Sequence, residues 1–189
     1  MRNLEKIEIR SSHELRKWLE SNHTQEESVW LVSYKKSVPD FYVSWNNIVD
    51  QLLCFGWIDS VVRKLDDIKT MRLISKRKKG SIWSLVNKKK VSRLIEDDLL
   101  TPAGLMVIKQ AKKDGSWYFL DEIDKLIIPD DLMFEFKRYP KALDHFEQFP
   151  KSVKQGILYW IKSAKKKETR ETRIIETAFL ASENVRVNG

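Results

Sequence analysis

Cysteine is almost missing from this 189-residue chain: Cys54 stands alone, which excludes a disulfide within one chain and a zinc site built on cysteines. Histidine is nearly as scarce. His13, His23 and His145 are widely separated and give no metal-ligand spacing. Six scattered glycines cannot build a glycine-rich phosphate cradle, and there is no Walker loop, dinucleotide fingerprint or nucleophile elbow. No apolar run approaches the length of a membrane span. The opening "MRNLEKIEIRSSHELRKWLE" is charged throughout, where a signal peptide carries an apolar stretch. The expectation from these absences is a soluble cytoplasmic protein with no metal, no cofactor, no membrane insertion and no recognisable catalytic constellation.

What is present is a core and an uneven charge. Hydrophobic residues make up 42% of the chain and seven are tryptophans, enough to fill the interior of a folded domain. The net charge is +8, yet residues 61–93 carry twelve Lys or Arg against Asp66 and Asp67. That segment alone has an excess of ten positive charges, so the remainder nets −2. A basic face of this kind suits phosphates or another anionic partner, and equally suits a solvated lysine-rich surface.

Local patterns divide the chain into elements. In "SSHELRKWLESN", Ser11 and Glu14 have capping-box spacing, and Leu15, Trp18 and Leu19 share a helical face. "SVWLVSYKK" has strand composition, and "SWNNIVDQLLCF" resumes a helical period that Gly56 terminates. "WIDSVVRKL" and "KTMRLISKR" pair as a hairpin, so three strands are expected. Beyond it the pattern is helical. "TPAGLMVIKQAKKDG" starts with Thr101 as N-cap and Pro102 at the first position, with Gly104 serving close packing. Thr169 is the expected N-cap of the last helix, which buries Ile174, Ala178 and Phe179. The fold class read from these patterns is α+β, a small antiparallel sheet packed against several helices. Residues 1–118 form the α+β core with the basic hairpin, and residues 119–189 a helical part packed on the same domain.

Candidate chemistry gathers around the stretch "CFGWIDS". Cys54 ends an apolar helical stripe, where a free cysteine acts as a small buried hydrophobe, so it is read as structural. Trp57 and Asp59 are two apart on a strand and point to one side. If the sheet folds back on the next helix, Arg77, Trp83, Ser84 and Asn87 converge with them on an indole-walled pocket with an arginine fork, and Lys35 and Lys36 stand at its rim. The competing reading is an internal network in which Asp59 pairs with Arg77 and Asn87 caps the following helix. Arg170 and Arg173 are further possible anion contacts. They sit at the start of the last helix, against its dipole, and need compensation: local Glu168 and Glu171 are expected first, ahead of a distant acid or a bound anion.

The stretches "WLESNH", "WLVSYKK", "LLCFGWIDS", "SIWSLVNKKKVSRLI", "TPAGL" and "SAKKKETRETR" occur in an order that resembles YdeI/OmpD-associated proteins, over Leu15 to Ala181. The resemblance implies an α+β organisation in a bacterial family named for bacteriocin protection, without an agreed biochemical activity. Some relatives carry a further domain resembling iron chaperones, but no ligand set here supports an iron role. The chain departs from the pattern at "SKRKK", where relatives have a proline-containing turn, and at "EDDLL", where a glycine often precedes the "TPAG" helix. The reading that results is a non-enzymatic stress- or bacteriocin-protection protein recognising a small anionic ligand or partner. Two alternatives stand beside it. One is a nucleic-acid-binding module using Lys76, Arg77, Lys78, Lys79 and the lysines at 88–90; the other is an enzyme whose residues converge only in space.

Overall fold

In a computed structural model that describes residues 4–187, the chain divides into two compact units, Met1–Tyr118 and Phe119–Gly189. The first unit is α+β. Its sheet has the order β1-β2-β4-β3, from strands Lys6–Glu8 (β1), Val29–Tyr34 (β2), Trp57–Lys64 (β3) and Lys69–Lys76 (β4). β2, β3 and β4 are the three expected strands and pair antiparallel. β1 is an addition, three residues long and parallel to β2, so the sheet is mixed. Its alternating "KIE" is too short and too charged to announce a strand, and its place is set by pairing Ile7 with Leu31.

Period-two alternation puts Ile7, Val29, Leu31, Ile74 and Trp57 on one sheet face, and these join the core with Leu15 and Leu19 of α1 (Ser12–Asn22) and Ile48 and Leu52 of α2 (Trp45–Cys54). Each helix starts where a hydroxyl accepts from the third following amide: Ser11 Oγ from Glu14 N at 3.1 Å, Ser44 Oγ from Asn47 N at 3.2 Å. The Glu14 carboxylate reaches back to Arg10 N rather than Ser11 N, a capping box displaced by one residue.

The corner after α2 is where α4 (Pro102–Lys113) docks. Gly56 adopts φ +73°, which ends the helix and turns the chain into β3. The carbonyl of Cys54 accepts from Thr101 N at 3.1 Å and from Thr101 Oγ1 at 2.6 Å. A Cβ on Gly104 would lie 2.4 Å from that same carbonyl oxygen, so the α4 backbone comes this close only because residue 104 has no side chain. α3 (Leu85–Glu96) completes the unit, contributing Val91 and Leu94 to the core, while Ile95 is exposed.

Among the described residues, the second unit consists of five helices: α5 (Asp121–Asp124), α6 (Asp130–Phe136), α7 (Ala142–Gln148), α8 (Lys151–Lys162) and α9 (Lys167–Ser182). It has its own apolar cluster, including Leu132, Phe136, Phe146, Ile157, Ile161 and Ala178. α9 begins two residues ahead of the expected Thr169, with Lys166 at the N-cap position, and Phe179 is exposed rather than buried. Among the described residues, no helix is long and apolar enough to cross a membrane.

Candidate functional site

The two segments expected to converge do meet, through the backbone: Arg77 N donates to Gly56 O at 2.9 Å, continuing the β3–β4 pairing past the strand ends. What they build is different from the expected pocket. Trp57 is fully buried, its Nε1 donating to His23 O at 3.0 Å and its ring edge-on to Trp18 at 5.5 Å. It holds β3 to the end of α1. Asp59 is half-buried and its carboxyl is pushed above the usual range, because burial outweighs the pull of Arg72 and Arg77. Among the described residues it forms an ion pair with neither, so the expected Asp59–Arg77 pair is not made. Nor does Asn87 cap α3. Ser84 is the N-cap, its Oγ accepting from Asn87 N at 3.3 Å.

Arg77 is the centre of what does form. It is 5% exposed, its guanidinium lies 3.9 Å over the Trp83 ring, and Nη1 donates to Ile82 O at 3.1 Å. Its Nε and Nη2, and Trp83 Nε1, have no acceptor among the described residues. Burial draws the guanidinium down to about 10, against the opposing pull of Asp59, and at neutral pH the group keeps its charge. A buried cation with two unmatched donors is costly unless an acceptor is supplied.

Arg77 and Trp83 line one side of a recess of about 390 Å³, with Lys78 and Lys79 on the loop between them. The other side is α4, through Met106, Lys109, Gln110 and Lys113, and the chain just beyond it, through Asp114. Among the described residues, five cations thus face a single acid. That acid is already satisfied: Asp114 accepts from Ser116 Oγ at 2.6 Å, Ser116 N at 3.0 Å, Gly80 N at 3.3 Å and Gln110 Nε2 at 3.4 Å. The Ser116 hydroxyl and then its amide hold the carboxyl down to about 2. Through Gly80, Asp114 also ties the lysine loop to the end of α4. Trp83 meets Trp117 at 5.0 Å, with Lys112 over the second indole at 5.3 Å.

Trp57, Asp59, Ser84 and Asn87 take no part in lining this recess. Lys35 and Lys36 are not at its rim either. Lys35 Nζ donates to the carbonyls of Asp66 and Asp67 at 2.8 and 3.0 Å, at the hairpin turn, whereas Arg77 follows the opposite end of β4. Eight residues of strand separate those ends by about 25 Å. In the second unit, Arg170 clamps Asp131 with two bonds, Nε to Oδ2 at 2.7 Å and Nη2 to Oδ1 at 2.9 Å. Arg173 donates to Trp160 O and to Ser163 Oγ at 3.2 Å, satisfying a carbonyl at the C-terminal end of α8. The compensation expected from Glu168 and Glu171 comes instead from another helix. Glu171 pairs with Lys167.

The α4 half of the recess escaped the sequence reading. Its signal was "KQAKKDG", basic residues in the last turn of a helix, which by itself reads as ordinary dipole complementation. Cys54 is fully buried, and burial pushes its thiol up, away from the reactive thiolate. Among the described residues, no three His, Cys, Asp or Glu side chains cluster so as to hold a metal ion.

Two family models match the chain. Residues 7–107 match a domain of unknown function, DUF8412, a stretch that includes the lysine loop and the first part of α4. Residues 125–184 match the model described as bacteriocin-protection, YdeI or OmpD-associated, a stretch that includes Arg170 and Arg173. No curated protein and no solved structure matches the chain.

Proposed function

We propose, for a chain that belongs to the bacteriocin-protection, YdeI or OmpD-associated family by residues 125–184 and to the DUF8412 family by residues 7–107, that its role is non-enzymatic protection through binding of a small phosphate-bearing ligand in the Arg77–Lys113 recess. The observation that carries this reading is the charge of the lining: five cations face one carboxylate whose hydrogen bonds are already taken. A phosphate entering beside the lysine loop meets cations from both walls, and a phosphate oxygen reaching Arg77 supplies an acceptor that its buried fork lacks. Met106 and Val107 offer apolar surface to the body of the ligand.

The broad nucleic-acid reading receives less support. Within the basic segment, Lys64, Lys69, Lys76, Lys90 and Arg93 pair with Asp67, Glu8, Glu26 and Asp50, so much of its charge is matched inside the fold. The test is calorimetric titration of the intact protein with AMP, glucose 6-phosphate and citrate at low salt. At least one phosphorylated probe is expected to bind saturably, and Lys109→Gln with Lys113→Gln to weaken it about tenfold, the size of one or two charge-assisted contacts. Absence of saturable heat with all three probes at millimolar concentration would remove the reading. Tighter binding of a single-stranded oligonucleotide, with a steep salt slope, would replace it.

A further inference from the structure

The cavity beside Lys36 is separate from the recess and is built on other principles. Strand register places Ser33 opposite Thr70, and Leu31 opposite Arg72. Ser33, Thr70 and Arg72 therefore share the sheet face that α2 covers. Tyr42 and Trp45 stand across from them, enclosing about 220 Å³. Arg72 lies 3.8 Å over the Trp45 ring. Among the described residues its guanidinium makes no hydrogen bond or ion pair, although Asp59 acts on it through space. Ser33 is 5% exposed, and its hydroxyl likewise has no partner among the described residues.

Among the described residues, no Asp or Glu lines the cavity. The first turn of α2, which borders it through Trp45 and Ile48, also carries no acid, so the positive end of that helix adds to the same sign. Lys35 is committed to the carbonyls of Asp66 and Asp67, which leaves Arg72 and Lys36 as the cations for a ligand. Two cations suit a monoanion, where the recess with five suits phosphate. The volume is below the range of about 300–1,000 Å³ usual for larger ligands, and so fits a single ring.

We propose that this cavity binds a small ring-bearing monocarboxylate, its carboxylate on the Arg72 fork and Lys36, its ring against Trp45 and Tyr42, and a ring hydroxyl within reach of Ser33 and Thr70. The assignment is independent of the phosphate reading, since the two sites share no lining residue.

The probes are 4-hydroxybenzoate, benzoate and inorganic phosphate, titrated into the intact protein by calorimetry while the Trp45 indole N–H is followed by NMR. Expected is saturable one-to-one binding of 4-hydroxybenzoate with a shift at Trp45, and weaker binding of benzoate. Arg72→Gln weakens binding at least about tenfold, as loss of a charge-assisted pair requires. Arg72→Lys also weakens it, because the charge stays and the fork is lost. Lys36 is exposed, so Lys36→Gln tests the site in a protein whose folding it does not touch, and a several-fold loss is expected. Three results would overturn the assignment: no saturable carboxylate binding at millimolar concentration, unchanged affinity in both Arg72→Gln and Lys36→Gln, or phosphate binding as tightly as 4-hydroxybenzoate.

Discussion

Arg72 and Arg77 are five residues apart, and each lies under 4 Å from the centre of a tryptophan ring, yet their surroundings give them different work. Arg77 is buried where the chain leaves the sheet, bonded to Ile82 O and short of acceptors. Arg72 stands half-buried on the sheet face at the edge of a cavity. Asp114 shows the reverse case, a carboxylate with donors on every side. Its carboxyl is held at about 2, below its ordinary 3.8, by Ser116 first. A depressed carboxyl contributes stability that is present above the unfolded value and is lost as pH falls toward the folded one. Urea midpoints measured from pH 6 down to pH 2 should therefore fall less steeply in Asp114→Asn than in the wild type, with the difference developing between about pH 4 and pH 2. Parallel curves would show that Asp114 does not tie the loop to the helix end.

Among elements, the α2–β3 corner and α4 meet backbone to backbone. Thr101 clamps the Cys54 carbonyl with two hydrogen bonds while serving as N-cap, and Gly104 lets the helix backbone reach the same oxygen. "CFGWIDS" is thus an architectural corner: a buried thiol, a left-handed glycine and an indole bonded to the end of α1. Gly104→Ala drives a Cβ into the backbone of Leu53 and Cys54, where no flexible side chain can yield. Chemical denaturation should show a loss of about 1–3 kcal/mol, the usual cost of overpacking, despite alanine's higher helix propensity. An unchanged or raised midpoint would mean that α4 moves off the corner freely. The displacement would also disturb the recess, because Met106 and Lys109 ride on the same helix.

For the molecule as a whole, the division at Tyr118 separates two apolar clusters with no shared member. The first is anchored on a sheet; the second is a set of short helices clasped by Arg170 to Asp131 and by Arg173 to the end of α8. A chain ending at Tyr118 is expected to unfold cooperatively in urea and to keep the near-UV circular dichroism of its buried tryptophans. A broad transition with no near-UV signal would show that the first core is insufficient alone. Charge also looks different at this scale. The excess counted over residues 61–93 is distributed among partners drawn from α1–β2, β1 and α2, and only part of it is left to face ligands.

The α+β class, the three antiparallel strands, the caps at Ser11 and Thr101 and the terminator at Gly56 were legible in the sequence, because each rests on periodicity or on the conformational limits of a few neighbouring residues. The YdeI/OmpD-associated resemblance was legible too, and of the motifs that carried it "SAKKKETRETR" lies within residues 125–184, the stretch that the family model matches. Partners were not. That Asp59 leaves Arg77 unpaired, that Arg170 finds Asp131 rather than Glu171, that Lys35 serves a turn, and that α4 supplies half of the recess are contacts between residues far apart in sequence. Local pattern sets which face of a strand or helix a side chain occupies. Which group that face then meets, and whether the pair is satisfied or leaves an opening for an anion, is decided when the elements pack.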